Sequence, residues 1–292
     1  MSTTTIVKPD LSSNGQAIAF NDKLFAPMRD SSGLIGDAEA LRARFREDGY
    51  LLLRGVLERE RVLSLRENYF ARLPEGFLKP GTSAAEGLFS GLAPDGMRAY
   101  GTSGHPAYAF ARSAQLHALS EDRALYGVAE TLLDGPVQPL VRQIVRHFHA
   151  GSGKASRAHT DYDYMSQGSD KLVTFWIPLG DCPLEAGALV YLDRPEPLSA
   201  DHLALLRLVN DREDDTRPLS HDLEWTARMT ERRWLWADFQ AGDLTVHSPH
   251  LVHASLDTTT EAMRLSADLR FQRSGEAIDP RWTKPWAADD GA

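Results

Sequence analysis

A mainly β protein with helical additions is what this sequence predicts, on three observations. Residues 263–272 alternate strictly, with Arg264, Ser266, Asp268, Arg270 and Gln272 set between Leu265, Ala267, Leu269 and Phe271. A period of two marks a β-strand with one face apart from the other. From about residue 137 onward, short strand-like runs are separated by turn residues. The length, 292 residues with 42% apolar content, is enough for a sizeable core. All-β barrels with helical additions reach this size as one domain, so 1–292 is read as a single domain.

The elements follow in order. Residues 1–36 are mixed and turn-rich, an arm expected on the surface. A helix is expected over 37–48, where Asp37 can cap it, Leu41 and Phe45 share a face and Gly49 ends it. Tyr50 to Val56 is a strand. Residues 58–73 form a second helix with Val62, Leu65, Tyr69 and Leu73 as its buried stripe. Residues 120–134 form a third, capped by Ser120 and closed by Gly135-Pro136. Gln143 to His149 alternates as a strand, and Gly242-Asp243 opens another that runs to His247.

Two segments interrupt this plan. Residues 76–108 carry seven glycines and three prolines with no clear period. Residues 195–238 hold a short helix from Ser199, a charged run at 211–217, and Arg233-Trp-Leu-Trp236. Loops this long inside a compact domain are functional or disordered, and both are expected to be lids over a site. The charged run is read as solvated surface, and Trp234 and Trp236 as core packing.

Composition excludes several classes. A formal net charge of −9 argues against a nucleic-acid partner held through phosphates. The single cysteine, Cys182, rules out an intrachain disulfide and suits a reducing compartment. No run approaches eighteen apolar residues and the first residues form no apolar leader, so a cytoplasmic protein acting on a small molecule, without a membrane partner, is expected. Nothing in the sequence fixes the oligomeric state.

The chemistry lies in three pieces: His159-Thr-Asp161, His253-Ala-Ser255, and Arg264 eleven residues beyond His253. Two imidazoles and one carboxylate on one face of an ion leave three coordination positions open, the arrangement of non-haem iron(II) oxygenases. A neighbouring guanidinium can anchor a dicarboxylate. The His159/Asp161 pair alone decides nothing, because ten His in this chain give about one His-x-Asp by chance. Its context decides. The polar face of 263–272 is too polar for a barrel interior unless it lines a site, the alternative being a face that meets water. His247 and His250 compete with His253 for the third ligand position. Arg270 lies roughly 20 Å along the strand from Arg264, at about 3.3 Å per residue, too far to share one dicarboxylate. Pairing with Asp268 or a Glu is expected for it.

The order of six pieces resembles the phytanoyl-CoA dioxygenase family of iron(II)/2-oxoglutarate oxygenases, in particular its bacterial branch acting on specialised metabolites. These are Asp48-Gly-Tyr-Leu-Leu-Leu-Arg-Gly-Val-Leu57, His159-Thr-Asp161, Thr174-Phe-Trp-Ile-Pro-Leu179, Glu185-Ala-Gly-Ala-Leu189, Gly242-Asp-Leu244 with Leu251-Val-His-Ala-Ser255, and Arg264-Leu-Ser266. The family's Pro-Gly-Ser-His after the glycine turn is absent, and Leu192-Asp-Arg-Pro195 stands there instead. The resemblance implies a double-stranded β-helix, a jelly-roll or cupin-like core, in the part after residue 137. It implies iron(II), 2-oxoglutarate and O2, with His159, Asp161 and His253 as metal ligands. It further implies Arg264 and Ser255 on the distal carboxylate of 2-oxoglutarate, and Trp176 beside it. One of Gln143, Val145 and His147 is expected to line the same pocket, with Gln143 the candidate. His147 and His149 are otherwise expected to be structural.

Hydroxylation of an unactivated C–H with release of succinate and CO2 is the implied outcome. Desaturation, cyclisation or epimerisation would use the same ligands. Asp161 fills the position that related halogenases leave to chloride, so halogen transfer is not expected. Candidate substrate-facing groups are Arg98, Tyr100 and Tyr108 in the first long segment, Tyr162 and Tyr164 beside the metal motif, and His247 and Arg270. Outside this reading stand a zinc hydrolase, which has no need of Arg264 and Ser255, and a non-catalytic cupin-like binding module.

Overall fold

In the computed structural model, which describes residues 10–152, 155–210 and 215–288, alternation along the sequence becomes two facing sheets, with a separate two-stranded sheet near the N-terminus. The elements run β1 (Leu11–Ser13), β2 (Gln16–Ile18), β3 (Phe25–Pro27), α1 (Ala38–Asp48), β4 (Tyr50–Leu53), α2 (Arg59–Phe70), α3 (Pro106–Ala111), α4 (Ala114–Ser120) and α5 (Arg123–Leu133). Then come β5 (Val137–Pro139), β6 (Ile144–Phe148), α6 (Tyr162–Met165), β7 (Leu172–Pro178), β8 (Leu189–Leu192), α7 (Ala200–Arg207), α8 (Leu223–Thr230), β9 (Trp234–Trp236), β10 (Leu244–His247), β11 (His253–Ser255) and β12 (Arg264–Arg273). The larger sheet has the order β4-β10-β7-β12-β5, with β6 also pairing β12. The smaller has the order β11-β8-β9-β3. This is the double-stranded β-helix expected from the sequence.

The register of the larger sheet sorts its side chains by face. Asp268 lies opposite Trp176 and Arg270 opposite Thr174, while Thr245 and His247 continue those rows and Arg264 lies opposite Phe148. All of these share the face toward the smaller sheet, because side chains two apart on a strand point the same way. The opposite face carries Leu265, Ala267, Leu269, Phe271, Phe175, Ile177 and Val246, all buried in one cluster with Val62, Leu65 and Tyr69 of α2 and Leu125 and Val128 of α5. Helices therefore cover one face of the sheet, and the other is free to carry polar groups.

Several expected boundaries hold and several move. Asp37 caps α1 by accepting from Ala40 N at 3.0 Å, and Gly49 closes it at φ 75°. A side chain at Gly49 would be strained and would meet Pro195 Cβ at 2.7 Å. The strand from Tyr50 stops at Leu53 rather than Val56, because Gly55 turns to φ 59° and its N–H donates to Asp243. The helix expected over 58–73 ends at Phe70. The one expected over 120–134 is two helices. Ser120 ends α4, its hydroxyl donating to the His117 carbonyl, and Asp122 caps α5 by accepting from Ala124 N at 2.8 Å.

The N-terminal arm is part of the fold over its described residues. β3 pairs in parallel with β9 as the edge of the smaller sheet, and Leu24, Phe25 and Met28 are buried there. Ser13 Oγ donates to the Ser255 carbonyl at 2.9 Å, tying β1 to β11. In the segment 76–108, Phe77 and Phe89 are buried. Arg66 reaches the carbonyls of Ala85, Glu86, Leu179 and Met263 and straps that first part to the sheet. The segment 195–238 forms α7, α8 and β9, while 211–214 of its charged run lie outside the described residues. Trp234 is fully buried and donates to the Leu223 carbonyl, and Trp236 packs edge-on against Phe20. No helix among the described residues is long and apolar enough to cross a membrane.

Candidate active site

His159, Asp161 and His253 come together between the two sheets, buried, with one ligand atom of each within 4.8 Å of the others. The backbone places them: His159 and His253 pair as an antiparallel bridge through both of their N–H groups, at 3.0 and 2.9 Å. Their rings then stand 4.2 Å apart, centre to centre. Each Nδ1 faces a carbonyl, that of Arg157 at 2.7 Å and that of Leu251 at 3.0 Å. A carbonyl accepts only from a protonated nitrogen, so Nδ1 holds the proton and Nε2 keeps its lone pair. Burial lowers both imidazoles below their ordinary value, and for His253 the neighbouring His159 adds to the effect. Both are therefore neutral at pH 7, as a metal ligand must be.

Asp161 is held from several directions. Its Oδ1 accepts from Arg270 Nη2 at 2.9 Å and lies 3.9 Å from His253 Nε2. Its Oδ2 accepts from Thr174 and lies 3.3 Å from His247 Nε2. Burial alone would raise this carboxyl, but Arg270 and the bond to His247 hold it well below the usual range. An ionised carboxylate beside two imidazole lone pairs suits a divalent first-row cation. This donor set fits iron(II).

Arg264 lies at the other end of this space. It is 2% exposed, and its guanidinium donates to the Gly187 carbonyl and stacks over Phe148 at 4.4 Å. Its Nε has no hydrogen-bond partner, and among the described residues no carboxylate pairs with it. Burial lowers it to about 10, so it stays charged at pH 7. A buried, charged and unpaired guanidinium is costly unless an anion meets it. The buried, unpartnered Nε of Arg264 fits the distal carboxylate of a 2-oxo dicarboxylate. Ser255 and Trp176 line the same space, Ser255 Oγ accepting from Ser156 N at 2.7 Å. Free room there is small, about 10 Å³.

A second, open cleft of about 570 Å³ leads from His159, Asp161 and Arg270 to the surface. Tyr100, Tyr108 and Tyr164 line it as expected, and Asp215, Arg217 and Pro218 bring the second long segment to its wall. Its far side was not foreseen: Arg281, Trp282 and Trp286 of the C-terminal segment. Two tryptophans four residues apart, nine and thirteen residues past the end of β12 at Arg273, were the available signal.

Other expected residues fall elsewhere. His250 is exposed and faces Asp170 at 3.1 Å, so it leaves the third position to His253. His247 packs beneath Asp161, with Nδ1 2.8 Å from the Tyr191 hydroxyl, and does not line the open cleft. Arg270 pairs with Asp161, whereas Asp268 takes Arg146 at 2.9 Å. Arg98 is exposed, and Tyr162 stacks on His250; neither lines a cleft wall. The parity expected for 143–149 is reversed. Ile144, Arg146 and Phe148 face the site, while Val145 and His147 face the helices and Gln143 lines neither space. The register explains this, since Phe148 lies opposite Arg264.

A family model described as phytanoyl-CoA dioxygenase (PhyH) matches residues 45–266. Among solved structures, the non-heme alpha ketoglutarate dependent carbocyclase SnoK from nogalamycin biosynthesis is 19% identical, with a TM-score of 0.57 over 87% of this chain and 90% of that one. The epimerase SnoN in complex with Fe3+, alpha ketoglutarate and nogalamycin RO is 20% identical, with a TM-score of 0.56 over 84% and 87%. EctD from S. alaskensis with bound Fe is 15% identical, with a TM-score of 0.57 over 95% and 99%. At these identities the structural likeness is one of fold.

Proposed function

This chain belongs to the phytanoyl-CoA dioxygenase family and is an iron(II)/2-oxoglutarate-dependent oxidoreductase, and from that we propose that it hydroxylates an unactivated C–H of a small, partly apolar metabolite bound in the open cleft. His159, Asp161 and His253 hold the iron, and Arg264 with Ser255 holds the distal carboxylate of 2-oxoglutarate. Bound iron with 2-oxoglutarate and O2 supplies the oxidising power, the cosubstrate leaving as succinate and CO2. The observation that carries the assignment is the convergence of His159, Asp161 and His253 within 4.8 Å in the same space as a buried Arg264 whose Nε lacks a partner.

The residues' own tasks follow from position. The Arg157 and Leu251 carbonyls fix the imidazole tautomers, and Thr174 and Arg270 fix the carboxylate. Arg264 and Ser255 orient the cosubstrate. Seating a five-carbon dicarboxylate in so narrow a space requires its lining side chains to draw apart. Phe148, Trp282 and Trp286 form an apolar wall that orients substrate and limits water at the reacting carbon. With Asp161 in place the metal keeps three protein ligands, and oxygenation rather than halogen transfer is the expected outcome.

The test is substrate-dependent succinate formation, screened over candidate metabolites with iron(II) and 2-oxoglutarate. Product carrying one added oxygen, formed in step with succinate, supports hydroxylation. A product two hydrogens lighter, or isomeric with its substrate, would replace it with desaturation or epimerisation.

A further inference from the structure

The open cleft is basic in an acidic protein. Arg142, Arg146, Arg157, Arg217, Arg270 and Arg281 line it, against Asp161 and Asp215, although the whole chain carries a net charge of −9. Three of these arginines are matched by carboxylates other than the metal-site one. Arg146 pairs with Asp268 at 2.9 Å, Arg217 with Asp215 at 2.7 Å, and Arg281 with Asp279 at 2.6 Å.

Arg270 differs. It is 3% exposed, its guanidinium stacks on Trp282 at 4.3 Å, and Asp161 is its ion-pair partner. Its Nε and Nη1 have no hydrogen-bond partner. Asp161 is also the carboxylate of the iron site, so one negative charge serves both a divalent cation and a buried guanidinium. The two charges of 2-oxoglutarate do not close the gap, because Arg264 offsets one of them. In the loaded site a positive charge remains, buried, on the substrate side. Buried charge of this kind is strongly unfavourable unless matched.

Resting on the iron and 2-oxoglutarate assignment above, we propose that the substrate carries a carboxylate that Arg270 binds, next to an apolar or aromatic portion lying along Trp282 and Trp286. Arg270 then does two things. It holds Asp161 for the metal, and it fixes the substrate so that the carbon to be oxidised is set by its distance from the carboxylate. Uncharged analogues of the same shape bind poorly because they offer Nε and Nη1 of that guanidinium no charged acceptor.

Calorimetry on the iron(II)-loaded protein, without O2, tests this. 2-Oxoglutarate is titrated first, and failure there counts against the cosubstrate assignment. With 2-oxoglutarate saturating, 3-phenylpropanoate and 3-phenylpropanamide are titrated separately as probes. The acid is expected to bind at least roughly tenfold tighter than the amide, about the 1.4 kcal/mol of a weak charged hydrogen bond. Raising salt should weaken the acid alone. Arg270→Gln should abolish the preference, Arg270→Lys should keep part of it, and Arg59→Gln, on the exposed Asp181 pair, should keep all of it. Equal binding of acid and amide, no binding of the acid at millimolar concentration, or a preference that survives Arg270→Gln in a folded protein would each overturn the proposal. The wild-type comparison and its salt dependence stand even if Arg270→Gln does not fold.

Discussion

Arg264 and Arg270 stand on one strand and one face, yet they meet different partners. Arg264 is left to an anion that the chain does not supply, while Arg270 grips Asp161. The first role, as proposed above, is the one the sequence leads one to expect, because a guanidinium eleven residues past a histidine stands within an ordered set of motifs. The second was not. From sequence Asp268 was the near neighbour of Arg270, and only the register, which sets Asp268 opposite Ile144 and diagonal to Arg146, frees Arg270 for a residue 109 positions away. At this scale, His159→Ala, Asp161→Ala and His253→Ala should each lower bound iron to a small fraction of the wild-type content, measured by metal analysis after gel filtration. His250→Ala, at the exposed pair with Asp170, should bind iron as wild type does. Iron retained by His253→Ala and lost by His250→Ala would reassign the third ligand. Ser255→Ala should weaken 2-oxoglutarate by one charged hydrogen bond, about 1.5–3 kcal/mol, read from its dissociation constant.

At the scale of elements, strands with strict alternation were legible and helix boundaries set by competing caps were less so. Ser120 read as the cap residue, but Asp122 takes that place for α5 and Ser120 bonds back into α4. The parity of β6 was beyond reach, since Gln143 to His149 alternates without saying which half meets the helices. One cap carries a pH dependence. His105 is the N-cap of α3, its Nδ1 accepting from Ala107 N at 3.2 Å, and burial lowers its pKa from 6.5 to about 4. Above 6.5 it is neutral whether folded or unfolded, and its contribution is fully present. Between 6.5 and about 4 the unfolded chain takes up a proton that the folded chain refuses, so stability falls as pH falls. His147, also lowered by burial, adds in the same direction. His105→Asn keeps a capping acceptor and removes the titration. Its melting temperature should fall less than that of wild type from pH 6.5 to 4.5, and parallel curves would contradict the assignment. Gly187 carries a second dependence: at φ 89° an added Cβ would meet Thr258 Oγ1 at 2.8 Å, and its carbonyl holds Arg264. Gly187→Ala should therefore weaken 2-oxoglutarate binding as well as stability.

For the whole molecule, we propose a single cooperative unit that includes the N-terminal arm. Patterning suggested an arm on the surface because 1–36 shows no period, yet the edge of the smaller sheet is completed by β3, a strand too short to announce itself. Phe25→Ala should therefore cost as a core substitution does, about 3–5 kcal/mol, in one denaturation transition. A loss below about 0.5 kcal/mol would return the segment to the surface. The long segments were legible as walls of a site at Tyr100 and Tyr108, but Asp215 and Arg217, expected on solvated surface, line the cleft instead, and the C-terminal Trp282 and Trp286 were not legible, because proximity to the site comes only from the closure of the sheets. The central claim is that the triad and Arg264 form one site for iron and 2-oxoglutarate. Its most direct measurement is calorimetric titration of 2-oxoglutarate into iron(II)-loaded wild type and Arg264→Ala without O2. The account predicts saturable binding by wild type and a loss of roughly a hundredfold or more in the variant, about 3 kcal/mol for a broken buried charge pair. Equal affinity in the two proteins, each with iron bound, would contradict it.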